Sequence, residues 1–73
     1  MFFPDRDSVN RIKAKYPTGT RVVLDYMDDF QAPPVGTQGT VRNVDDMGTV
    51  HIHWDNGSSL GACVLDYDRI HTI

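Results

Sequence analysis

A chain of 73 residues with a formal net charge of -3 is sized for one domain, and a domain this small buries only about 60% of the surface its unfolded form exposes. Its single cysteine, Cys63, excludes an internal disulfide, no paired Cys/His spacing marks a structural zinc, and no apolar run reaches membrane-span length or follows a secretion-signal pattern. The acidic balance weighs against a phosphate-backbone partner, which needs a basic face, and a cytoplasmic setting is expected.

All ten acidic residues are Asp and none is Glu. Asp prefers turns and helix caps, whereas Glu prefers helix interiors, so the bias points to short elements and many turns. Charge is also uneven: residues 1–21 hold five basic and two acidic groups, the remainder two basic and eight acidic. The plain reading of that asymmetry is a solvated helix face.

The opening "MFFPDRDSVNRIKAKYP", residues 1–17, predicts one short helix. Asp5 or Asp7 can cap its start, and Val9, Ile12 and Tyr16 fall on a single apolar stripe. Arg11, Lys13 and Lys15 approach its C-terminal end, where positive charge suits the helix dipole, and Pro17 stops it. A helix of this length is marginal alone, so the stripe must pack on something.

From Gly19 the period changes to two. "GTRVVLDYM" predicts a strand with Val22, Leu24 and Tyr26 on one face. "GTVRNV" (Gly39 to Val44) predicts a second, and "TVHIHW" a third, in which Val50, Ile52 and Trp54 alternate with Thr49, His51 and His53. "SSLGACVL" can supply a fourth strand and "RIHTI" a short fifth. Residues 19–73 are therefore expected to form a small barrel of four to five antiparallel strands, which protects its own edges. The expected fold is mainly β, a single domain with one short N-terminal α-helix.

The connections agree. "VDDMGTV" predicts a tight hairpin with Gly48 in a left-handed conformation, and "WDNGSS" contains Asn-Gly, a strong hairpin signal. "YPTGT" and "PPVGT" share Pro-x-Gly-Thr, read as Pro at the second and Gly at the fourth position of a type I turn. Only residues 27–38 lack a short local solution, and long loops in compact domains are often functional.

The combination of "GTRVVLDYMDD", "QAPPVGTQGTV", "VDD-M-G" and "WDNGSSL", with "DR" near the end, resembles the domain-of-unknown-function 4314 family, short proteins of bacteria, phages and other mobile elements. More distantly, the arrangement is similar to SH3-like and Tudor-like barrels, binding modules without catalysis of their own. The resemblance implies an SH3-like barrel whose loop between the first two strands helps to wall a groove.

On that reading Tyr26, Asp28, Asp29, Phe30 and Gln31 would offer rings, carboxylates and an amide around one concavity, with Thr37 beside them. Pro33 and Pro34 would restrict the loop and lower the entropy lost on binding. Trp54 has the phase of a core residue, although it borders the turn formed by Asp55 and Asn56. Should that turn fold beside the loop, Asp28, Asp29 and Asp55 would converge and favour a protein partner with a basic patch. The first expected function is thus a non-catalytic module of phage or mobile-element origin that engages a host protein through the 27–38 loop and the WDNG turn, with inhibition of host defence as its purpose.

A second reading is an oligomeric sponge for a small nucleotide signal, using Phe30 or Tyr26 for stacking and Gln31, Thr37 and Thr40 for hydrogen bonds. Small size invites such self-association. A third is nucleic-acid binding through Arg6, Arg11, Lys13, Lys15 and Arg21, ranked last on charge. His51 and His53 lie about 7 Å apart on one strand face. With His71 or Asp55 they could hold a metal, but only two ligands are close in sequence and a site needs at least three. No nucleophile elbow, phosphate-cradling glycine loop or zinc-protease helix is present, so neither an enzyme nor a cofactor is expected.

Overall fold

Helix α1 spans Arg6–Lys15 in the computed structural model of the protein, which describes residues 5–73. The first four residues of the predicted helical segment lie outside the described residues. Of the two candidate caps, Asp5 takes the role: it stands in extended backbone and accepts the Ser8 N–H at 2.8 Å and the Ser8 hydroxyl at 2.9 Å. Asp7 lies in the first turn, where its charge suits the dipole. At the other end the Tyr16 N–H reaches the Ile12 carbonyl, and Pro17, which cannot donate, follows. Val9 and Tyr16 are buried and Ile12 packs partly against the core, so the stripe read from the sequence is the face that docks.

Four strands follow: β1 (Arg21–Tyr26), β2 (Gln38–Val44), β3 (Val50–Trp54) and β4 (Arg69–Thr72). They form one antiparallel sheet in the order β3-β2-β1-β4. Period-two alternation holds where one face is covered. Val22, Leu24, Val41, Val50, Ile52 and Trp54 are fully buried, and Ala62 joins them from outside the strands. Tyr26 departs from that pattern and is half exposed, because the β1–β4 register shifts between Leu24 and Tyr26. A bulge there bends the strand and re-aims the side chain.

The sheet is unclosed, since β3 and β4 occupy its two edges. The predicted strand at 58–65 is absent as a strand. It touches the β3 edge only through the Val50–Ala62 bridge, whose two backbone bonds are 2.9 and 2.8 Å. Two local causes limit it. Gly61 passes so near Thr49 that an added Cβ would sit 2.7 Å from the threonine methyl. Beyond it, the Cys63 N–H is drawn to the Asp68 carboxylate at 2.8 Å, which turns the chain away.

The two Pro-x-Gly-Thr stretches adopt one conformation. In each the Thr N–H returns to the Pro carbonyl at 3.0 Å and the Thr hydroxyl reaches the same oxygen at 2.6 Å. Gly19 and Gly36 both have φ of 93°. Proline is thus the first residue and glycine the third of a type II-like turn, one place earlier than the type I reading. The positive φ decides this, because it fits glycine at the third position. Each turn clips onto the opposite strand in the same manner. Gly19 N–H bonds Val41 O while Val41 N–H bonds Thr20 O, and Gly36 N–H bonds Leu24 O while Leu24 N–H bonds Thr37 O. The β1–β2 pair therefore has matching ends. Gly36→Ala places a Cβ in the left-handed region and should lower stability by about 1–2 kcal/mol, read as a drop in urea midpoint with unchanged slope.

The remaining turns follow their sequences. Gly48 (φ 81°) closes the β2–β3 hairpin and Gly57 (φ 95°) closes the turn after Trp54.

Candidate functional site

The long connection between β1 and β2 is held by its own polar groups and by one buried carboxylate. Asp29 accepts the Gln31 N–H on its side chain at 2.8 Å and the Ala32 N–H on its carbonyl at 3.0 Å, folding 29–32 into a turn. Pro33 is buried, and the Pro34–Thr37 turn delivers the chain into β2. At the loop's start the Asp28 N–H donates to Asp68 at 2.9 Å, and the other oxygen of Asp68 takes Cys63. Asp68 is buried and anchors both the 27–37 loop and the 63–68 turn.

The loop does not line the clefts that flank α1. One of about 450 Å³ is lined by Arg6, Val9, Asn10, Lys13 and Asp46. Two smaller ones, about 260 and 180 Å³, lie against Tyr16 from either side. None of these three clefts is the concavity expected around 27–38. Phe30 is 96% exposed on the loop and Val35 is 70% exposed on the next turn. Tyr26 pairs with Arg69 across the β1–β4 ladder, and Asp28 is bonded to Asp68, so Tyr67 (70% exposed) belongs to the same end of the molecule. Tyr26, Phe30, Val35 and Tyr67 are thus each exposed on segments that meet beside the β1–β4 pair, and Asp28, Asp29 and Asp66 of the same segments are exposed too.

The other predicted residues divide. Gln31 and Pro34 are exposed on the loop. Thr37 donates its hydroxyl to Pro34 and Thr40 receives Arg21, so the hydroxyls expected to meet a nucleotide already serve the fold. Trp54 is fully buried, with its indole N–H on the Leu60 carbonyl at 2.9 Å. A side chain with no exposed surface is a core residue, which corrects its place among the contact residues. Asn56 uses its side-chain oxygen to hold the Ser58 N–H at 3.1 Å.

Asp55 does not join Asp28 and Asp29. It forms a bidentate pair with Arg21, at 2.9 and 2.6 Å, on the outer face of the sheet. The same guanidinium also donates to Thr40 and Gln38. The pairing lowers the Asp55 carboxyl and raises Arg21, each from its ordinary value. Three further pairs are Lys13–Asp46, His51–Asp45 and His71–Asp25. Among the described residues no ion pair reaches Asp28 or Asp29, so the loop's two charges are uncompensated. His51 and His71 point to different carboxylates, and no group of three or more His, Cys or Asp side chains converges among the described residues.

Asp45 sets the acid limit of the hairpin. Burial raises its carboxyl, but bonds from His51, Thr49 and Met47 outweigh this, and the net position is below the ordinary value. A lowered folded-state value contributes stability that is complete above the unfolded value, about 3.9, and is lost as pH falls through the folded one. Asp5, lowered by the Ser8 bonds, and Asp55 act in the same direction. Urea midpoints should therefore hold from neutrality to about pH 4 and fall below it. Asp45→Asn should flatten part of that fall.

Sequence reasoning missed Tyr67, Val35 and Asp68. Tyr67 carried a faint signal, an aromatic between two aspartates ahead of a short strand. Asp68 is the Asp of the "DR" near the end, but its role stayed hidden because its partners are backbone groups five and forty residues away.

No helix among the described residues is long and apolar enough to cross a membrane. No curated protein and no solved structure matches the chain. A family model does match residues 5–73, nearly the whole length, and the chain belongs to that family, described as Domain of unknown function (DUF4314).

Proposed function

We propose that this chain is a non-catalytic binding module that engages a protein partner through the 27–38 loop and the adjoining Tyr67. The observation that carries the reading is the exposure of Tyr26, Phe30, Val35 and Tyr67, each at least half exposed, on the two segments that Asp68 ties together. Aromatic residues are enriched among those that dominate binding energy. The loop is braced by Asp29, Asp68 and the Pro34–Thr37 turn, so little ordering remains to be done on contact. The uncompensated Asp28 and Asp29 favour a partner with a basic patch. The WDNG turn contributes less than the sequence implies, because Asp55 is engaged by Arg21 and Trp54 is fully buried.

The resemblance to short mobile-element proteins supports placing that partner in the cytoplasm of a host cell, with interference in host defence as the outcome. The test is co-purification of the full chain with its partner from such a cell, comparing three proteins. Wild type and Arg11→Ser, altered at an exposed position of α1, should retain the same partner. Tyr67→Ser combined with Val35→Ser should lose it while keeping the wild-type urea midpoint. Loss through Arg11→Ser alone would move the interface to the helix.

A further inference from the structure

We infer that Phe30 is the anchor of this surface, presented outward for insertion into an apolar pocket of a protein partner whose rim carries Lys or Arg opposite Asp28 and Asp29. The inference rests on the binding-module reading and assigns the geometry: this chain supplies the projection, and the partner supplies the hole.

Shape comes first. At 96% exposed, Phe30 keeps almost none of its ring against its own chain. A solvent-exposed phenyl forgoes the favourable burial its ring could have, and here a set of hydrogen bonds holds the backbone that carries it. Asp29 closes the turn beneath it through Gln31 and Ala32. Asp68 fixes the residue before that turn, and buried Pro33 fixes the residue after it. The ring thus stands on a backbone tied at both ends, and the clefts beside α1 do not include the loop.

Charge then selects the partner. Asp25, Asp45, Asp46 and Asp55 each face a cation or histidine of this chain, while Asp28 and Asp29, the two residues before Phe30, pair with none among the described residues. Two carboxylates beside an inserted ring need cations on the pocket's rim, because like charges or a bare apolar rim would leave them desolvated. Nucleic acid would be repelled by the same two groups. A two-fold pairing of this surface with a second copy brings the same patch against itself, and so sets Asp28 and Asp29 of one copy near those of the other.

The experiment replaces single residues of the full chain by the photo-crosslinking amino acid p-benzoylphenylalanine, at Phe30, at Tyr67 and, on α1, at Arg11. Irradiation in cells should join the Phe30-substituted chain to one protein, and the crosslinked peptide should line an apolar pocket edged by Lys or Arg. With that protein purified, Phe30→Ala should weaken binding about thirtyfold or more without moving the urea midpoint. Asp28→Asn with Asp29→Asn should weaken it several-fold and remove most of its salt dependence. Crosslinking from Tyr67 but not Phe30 overturns the anchor and leaves the binding surface standing. A crosslink from Phe30 to a second copy, or to a flat or acidic site, overturns the proposed partner. Crosslinking from Arg11 alone, or from none of the three positions, overturns the anchor and the binding-module reading together.

Discussion

Trp54→Ala should leave the chain largely unfolded in water at 25 °C. Trp54 heads the fully buried side chains, and Val50 and Ile52 on the same strand share its layer. Replacing a buried tryptophan by alanine costs about 3–5 kcal/mol through lost transfer energy and the cavity left behind. A chain of this length holds roughly 4–11 kcal/mol in total, and its small size places it toward the lower end. Collapse around the hole is limited from the neighbouring strand, because Gly39 already lies so close that an added Cβ would meet Ile52 at 2.6 Å and Trp54 at 2.8 Å. Far-UV circular dichroism of the variant should show loss of the sheet. Trp54→Phe should remain folded but weaker by about 1–3 kcal/mol, since the Leu60 carbonyl loses its donor. A Trp54→Ala chain with the wild-type urea midpoint would falsify the placement of the indole at the centre of the core.

The contrast between Trp54 and Phe30 shows where the sequence was readable. Trp54 lies in strict alternation with Val50 and Ile52, and all three are buried, because period two maps directly onto a sheet with one covered face. The helix stripe, the Asp5 cap and the glycine turns at 48 and 57 were legible for the same reason, since each depends on neighbours within four residues. The Pro-x-Gly-Thr turns were found but misplaced by one position, because composition marks a turn more clearly than its phase. What stayed hidden depends on partners far along the chain. The 58–65 segment has strand composition, yet Asp68 and the Gly61–Thr49 approach leave it one bridge. The Arg21–Asp55 pair likewise forms across 34 residues, and it engages the Asp55 that would have joined Asp28 and Asp29 had the WDNG turn folded beside the loop. Phe30 is read from the sequence as a ring bordering a concavity, and its 96% exposure follows from turn geometry that no periodicity encodes.

Asp68 joins stability to the candidate surface, so changing it should affect both. Its two oxygens receive the N–H groups of Asp28 at 2.9 Å and Cys63 at 2.8 Å, and it is only 7% exposed. Asp68→Ala leaves two part-buried donors without an acceptor, each costing about 1–3 kcal/mol. Water reaches part of the gap, which places the sum near 3 kcal/mol. Asp68→Asn keeps one acceptor and points an amide donor at the other N–H, so it should cost less, about 1–2 kcal/mol. Phe30→Ala should lower binding with no change in stability, whereas Asp68→Asn should lower both. The released loop would have to be ordered again on every encounter. Hydrogen exchange separates the two effects at one atom. The Asp28 amide should be protected in the wild type and in Phe30→Ala, and should exchange near the rate of an unstructured chain in Asp68→Ala, which keeps no acceptor for it. Persistent protection in Asp68→Ala would mean that the loop is held by its own turn alone, and that Phe30 keeps its position without help from the 63–68 segment.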